Sequence, residues 1–325
     1  MALKKNDIDK SELNRQRKLD RSIIFASKNM QNDFHIYGYQ PEDYIIRNGE
    51  KSYIAIFSVK CNDDNNVNLN NLNKILCANL AQRFRISVFY QKVNDVLKEI
   101  VYLSVFFEED YYYLVHDQLS ILKNELSGLA AYNYIIESLS LDSVFSYWNF
   151  NMHNTFENIN ALSVLSSKTP FEKPQINMKE RVIFKYKDMY YTSLKLIASS
   201  DTNKSFPFEI FNKFQRIYFA TDTWNISKED FMTYNKILRS SFYPSKDNKD
   251  VDFVNFSAAI VFMDNDKEIL HKKLNDLYVV CQERGFIFVP CYSNEFDYYL
   301  SLSSFGIMDY CNMRIMKNNQ IINFY

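Results

Sequence analysis

The chain has 325 residues, 47% of them apolar and 24% charged, a balance that excludes a disordered polymer and leaves room for more than one core. With 38 basic against 39 acidic residues the net charge is −1, so no whole-molecule field gathers nucleic acid or anionic lipid. No apolar run nears the roughly 18 residues that span a bilayer, no secretory signal is recognisable, and five cysteines without paired spacing suit a reducing compartment; the expectation is a cytoplasmic protein.

Residues 1–29 read as a polar leader, partly disordered, in which Lys10, Arg15, Arg17, Lys18 and Arg21 are mixed with acids; a solvated terminal helix accounts for them better than an anion-binding arm. "DYIIRNGEKSYIAIFSVKC" then holds two apolar runs around Asn48-Gly49, the signature of a hairpin. Leu69, Leu72, Leu76 and Leu80 fall at helical spacing, so one stripe can face a sheet. "ISVFY" and "EIVYLSVFFEEDYYYL" read as strands, which gives a first β–β–α–β–β outline. From Asp117 to about Asn151 the pattern is helical, with Leu119, Leu122, Leu126 and Leu129 in a three-four repeat that Gly128 weakens without ending. A helical insert follows through "DSVFSYWNFNMHNTFENINALSVLSS".

Pro170 and Pro174 in "SSKTPFEKPQ" exclude a continuous helix and mark the internal boundary. Beyond it come a hairpin around Lys187-Asp188, a strand in "FNKFQRIYFATDTW" and a buried strand in "VDFVNFSAAIVFM". Asn265 with Glu268 predicts a reciprocal helix cap, and Leu270, Leu274, Leu277, Tyr278 and Cys281 share one face of the helix that follows. Gly285 ends it in a left-handed cap, "FIFVP" returns as a strand, and Ser293 or Asn294 caps a further helix. The expected architecture is α+β in two lobes with mixed or antiparallel sheets and packed helices. Each lobe, 30–169 with the insert and 170–325, is expected to hold a strand–helix–strand unit.

Chemistry-bearing motifs are scarce. The glycines Gly38, Gly49, Gly128, Gly285 and Gly306 have no spacing that makes a phosphate loop, and in "NGEKS" the acidic Glu50 intervenes. His35, His116, His153 and His271 include no i, i+4 pair. A metal-dependent hydrolase gathered from Glu108, Asp110 and His116 is the rival enzyme reading, against the simpler one of a solvated acidic strand end. "DYYYLVHD" lacks interleaved basic residues, so alternate tyrosines on a strand, the middle one outward, suit it better than a base-stacking groove; no direct nucleic-acid binding is predicted. Candidate interaction residues are Tyr111, Tyr112 and Tyr113, together with Ile321, Ile322, Phe324 and Tyr325 in a tail apolar enough to add a strand to a partner.

The order of elements from residue 30 to 306 resembles the amino-terminal region of the TraC family, the conjugation ATPases of F-like type IV secretion systems. Two segments carry the resemblance: "FHIYGYQPEDYIIRNGEKSYIAIFSV", similar to the family's opening tyrosine-containing segment, and "FSAAIVFMDNDKEILHKKLNDLYVVCQERGFIFVPCYSNEFDYYLSLSSFG". The latter resembles the strand, amphipathic helix, Gly-Phe and strand that precede the family's motor; Ser303-Ser304-Phe305 stands where the family has Leu-Pro. The resemblance implies a bacterial, non-catalytic adaptor that docks at the cytoplasmic side of the secretion channel, peripheral to the inner membrane. The implied partners are other type IV secretion and conjugation proteins, a separate ATPase chain and further copies of itself. The family's nucleotide-binding domain would begin beyond residue 325, so no ATPase residue and no cofactor is carried over.

Overall fold

A computed structural model describes residues 10–62, 66–93, 96–153, 158–167, 183–186, 188–199, 205–226, 253–291, 303, 305–306 and 314–317. The first half opens with α1 (Lys10–Arg21), β1 (Ile24–Phe25), α2 (Lys28–Phe34), β2 (Gly38–Gln40) and β3 (Ile45–Arg47). It continues through β4 (Ser52–Cys61), α3 (Leu69–Asn79), β5 (Arg83–Val93), β6 (Val96–Glu108), α4 (Tyr112–Ser127), a 3-10 turn (Gly128–Tyr132) and β7 (Tyr134–Ser138). The insert is α5 (Leu141–His153) and α6 (Ala161–Ser166). The second half comprises β8 (Phe184–Tyr186), β9 (Met189–Ser199), a 3-10 turn (Phe208–Lys213), β10 (Arg216–Ile226), β11 (Phe253–Asp264), α7 (Lys267–Glu283), β12 (Phe286–Pro290) and β13 (Arg314–Lys317).

The chain is α+β, and its described strands form one 13-stranded sheet in the order β1-β2-β3-β4-β6-β5-β10-β11-β9-β12. Strands β7, β8 and β13 attach to β4, β9 and β11. Every described pairing is antiparallel. Both halves repeat one device. Strands β4 and β5 run parallel, joined by α3, with β6 inserted between them; β11 and β12 run parallel, joined by α7, with β9 between. This is the split strand–helix–strand arrangement. The two expected lobes are not separate sheets: Phe84–Gln91 of β5 pair with Thr223–Arg216 of β10, and the ladder runs through the seam.

Side chains alternate across the sheet, so each strand serves two cores. On one face Tyr53, Phe57, Phe84, Leu103, Phe219, Phe256 and Phe262 pack under α3, α4 and α7 in one cluster that crosses the seam. On the other, Ile54, Ile56, Phe106, Tyr218, Ala220 and Val261 pack with residues of α2, α5 and α6. The predicted stripe Leu69, Leu72 and Leu76 is buried on α3, and Leu270, Leu274, Leu277 and Cys281 are buried on α7. Asn68 caps α3 by accepting from the Asn71 N–H at 3.0 Å. At its other end Asn225 of β10 donates to the Cys77 and Leu80 carbonyls at 2.9 and 3.0 Å, so a second-half side chain satisfies a first-half helix terminus.

Three local expectations are corrected. The α7 cap is Asp266, whose carboxylate accepts from the Ile269 N–H at 3.0 Å, rather than Asn265 paired with Glu268. Strand β6 stops at Glu108 and Tyr112 opens a helix, so "DYYYL" is not a strand. Helix α4 ends at Ser127 and gives way to a 3-10 turn and β7, so the helical pattern does not run on to α5. The helix expected in the leader is present as α1, where Gln16 is buried, Leu19 packs against the first core, and Arg15 pairs with Asp117 of α4 at 3.1 Å. The hairpins at Asn48-Gly49 and before Met189 are present, and Gly285 has φ 83° after α7, a conformation costly for any residue with a Cβ. The boundary at Pro170 and Pro174 and the cap at Ser293 or Asn294 lie outside the described residues. No helix among the described residues is long and apolar enough to cross a membrane.

Candidate functional site

The strand-end turns of the first half bring the acids and tyrosines singled out in the sequence to one rim. Ser52 pairs with Glu108 at the ends of β4 and β6, and the Glu109 N–H donates to the Lys51 carbonyl at 2.9 Å, which places Asp110 and Tyr111 just before α4. A shallow cleft of about 430 Å³ lies there, lined by Lys51, Ser52, Glu108, Glu109 and Asp110.

The side chains of the rival metal site do not converge. Glu108 pairs with Arg83, Asp110 with Lys51, and His116 with Asp43, whose carboxylate lies 2.6 Å from the imidazole Nδ1. Tyr112 donates its hydroxyl to the same Asp43 carboxylate, and burial, reinforced by that carboxylate, pushes the phenol pKa up. No group of three or more His, Cys, Asp or Glu side chains is placed to hold a metal among the described residues.

The tyrosine run divides. Tyr112 is 1% exposed and packs against Tyr53, because the first turn of α4 points it at the sheet, so it is not a surface residue. Tyr111 is 56% exposed and stacks on Tyr113 with ring centroids 5.9 Å apart. Ile121 is exposed on α4, Tyr132 on the following 3-10 turn and Ile135 on β7. Strand β7 pairs with β4 on one side and has no partner strand on its other side among the described residues. Ile321, Ile322, Phe324 and Tyr325 lie outside the described residues, although Arg314–Lys317, earlier in the same tail, add a strand to the chain's own β11.

A second assembly escaped the sequence reading. Arg85 and Asp222 face each other across the seam, both almost completely buried, with Nε–Oδ1 at 2.6 Å and Nη2–Oδ2 at 2.9 Å. Nη1 of Arg85 also donates to the Ser303 carbonyl at 2.7 Å. Phe305 beside it packs edge-on against Phe145 and Trp148 of α5. The bidentate fork holds the carboxyl-terminal turn on the seam. Its signal was present as charged residues in the middle of otherwise apolar strands, "RFRISVFY" and "YFATDTW"; their partnership needed the register.

Neither a protein-family model nor a curated protein matches the chain. Among solved structures, a berberine bridge enzyme variant described as a reticuline dehydrogenase is similar over 71% of this chain and 40% of its own, at 15% identity and a TM-score of 0.28. A likeness at that level carries no argument about chemistry.

Proposed function

We propose that the chain is an assembly module that acts by binding other proteins through the α4–β7 rim. One observation carries this reading: Tyr111, Ile121, Tyr132 and Ile135 are all more than a third exposed along an element pair that ends in an edge strand. Exposed apolar side chains beside unpaired strand amides suit burial against a partner. The resemblance of residues 30–306 to the amino-terminal region of TraC-type proteins supplies the finer proposal. The partners are components of a type IV secretion channel at the cytoplasmic face of the inner membrane, a separate ATPase chain among them, and the module itself is non-catalytic.

Site-specific photo-crosslinking tests it. A crosslinker at Ile135 is expected to capture a secretion-channel protein in cells, and one at the more exposed Val279 of α7 is not. With the crosslinker moved to the neighbouring Tyr132, Ile135→Lys is expected to abolish capture without unfolding the chain. Equal capture from both positions would refute the rim, and capture of proteins unrelated to secretion would refute the assignment to that machinery.

A further inference from the structure

On the face of the sheet that carries α5, one strand row holds a charge that nothing among the described residues balances. The row runs Lys98, Gln91, Arg216, Met263, Tyr191 across β6, β5, β10, β11 and β9. The next row is Ile100, Phe89, Tyr218, Val261, Ser193. Neither contains an acid. Arg216 is 5% exposed, its Nη1 has no hydrogen-bond partner, and no carboxylate pairs with it among the described residues. Asp222, the acid further along the same strand face, is already engaged in both oxygens by Arg85.

A guanidinium taken out of water without a counter-charge is strongly unfavourable, and a buried cation is ordinarily paired. Burial accordingly lowers the Arg216 pKa, with Tyr191 acting in the opposite direction. Two further donors on this face are in the same condition. Tyr218, two residues along the strand with its Cα about 7 Å from that of Arg216, and Ser193 each carry a buried hydroxyl without a hydrogen bond of good geometry. The Tyr218 and Ser87 hydroxyls lie close enough to influence each other, yet neither has a hydrogen bond of good geometry. The row opens outward at one end, where Gln91 is half-buried and Lys98 exposed.

We propose that Arg216, Tyr218 and Ser193 form the floor of a binding site for a phosphate group, free or as a monoester, reached from the Gln91–Lys98 end of the row. A planar guanidinium fork takes two oxygens of such an anion and hydroxyls take the others. Two basic side chains in one row, Arg216 and Lys98, match a dianion better than a single carboxylate. The proposal is independent of the α4–β7 rim, which lies on other elements.

The test is thermal unfolding and calorimetric titration of the full chain with inorganic phosphate and with phenyl phosphate, against chloride at equal ionic strength. Wild type is expected to show a saturable rise in melting temperature, about 2 °C at ten times the half-saturating concentration. Arg216→Met is expected to bind at least tenfold more weakly. In phosphate-free buffer it should melt at or above the wild-type temperature, because an uncompensated buried charge has gone. Tyr218→Phe, which keeps the ring, should weaken binding severalfold; with Lys98→Gln it provides the test if Arg216→Met does not fold. The proposal is overturned if wild type gives no saturable response, which would leave water as the partner of these donors. It is equally overturned if Arg216→Met, or Tyr218→Phe and Lys98→Gln in its place, responds like wild type. Binding only at tens of millimolar with no preference for either phosphate, an adventitious ion only, overturns it as well.

Discussion

The two halves use one strand order but fill the space beneath it differently. In the first, α3 and α4 lie on the sheet and present leucines: Leu72, Leu76, Leu119 and Leu122. In the second, α7 takes the place of α3, and Phe206, Phe208, Phe211 and Phe214, on and beside the 3-10 turn that precedes β10, pack into the same core. Phe206 alone contacts the rings of Phe208, Phe211, Phe219, Phe286 and Phe288 at centroid distances of 4.9 to 6.0 Å. The lesson is that a packed face needs volume and complementarity, not a particular element. Rings on a tight turn substitute for a four-turn helix.

That contrast can be broken most directly at Phe211, fully buried among Tyr90, Phe206, Phe208, Phe219 and Phe262. Phe211→Ala is expected to cost about 3–5 kcal/mol in urea unfolding, and Leu122→Ala on α4 about 2–4 kcal/mol because a helix relaxes into the space more readily. A larger loss at Leu122 would show that the turn is the softer cover. Next is the seam. Asp222→Asn leaves Arg85 buried without its anion and should cost about 3 kcal/mol, whereas Arg85→Met with Asp222→Leu should be near neutral. A double variant as damaged as the single one would mean that the hold on Ser303 matters more than the charge pair.

The helix entrances differ too, in a way that pH exposes. The Val67 N–H ahead of α3 donates to the Glu99 carboxylate, which is half-buried, whereas α7 begins at an exposed Asp266 cap. Burial raises the Glu99 pKa above its ordinary 4.5 despite that bond. The folded chain therefore holds this proton more tightly than the unfolded chain. The contribution to stability is greatest below pH 4.5 and falls as pH rises through the folded value. Glu99→Gln should gain on wild type at pH 7 and not at pH 4, as read by melting temperature; the opposite order would show that the bond to Val67 outweighs burial.

The smallest perturbation uses Cys77 of α3 and Cys281 of α7, both pushed up to about 12 by burial. Neither should label at pH 8 in the native state, because the thiolate is the reactive form. Since the sheet is continuous, pulsed thiol labelling in rising urea should expose both at one midpoint. Two midpoints would show that the halves unfold separately.

What the sequence revealed was local. Helical leucine spacing placed α3 and α7, and Gly285 placed the end of α7. "DYYYL" misled because three tyrosines carry strand propensity, while Tyr112 is drawn into a helix by its bond to Asp43 and its packing on Tyr53. "YIIES" is too short a run to be distinguished from the helical repeat before it; β7 exists because β4 offers an edge. The seam, its Arg85–Asp222 pair and the row around Arg216 depend on strand register between segments far apart in the chain, which periodicity does not encode.

That seam also has a cost during synthesis. Strand β5 waits for β10, roughly 130 residues later, and at about 5–20 residues per second the ribosome needs on the order of ten seconds to deliver it. Until then the nascent first half presents an apolar ribbon with a row of unmatched amides, open to chaperones or to a neighbouring polysome's identical segment. Expression at lower temperature, or with slowed initiation, should therefore change the soluble yield of this chain more than its final stability would suggest.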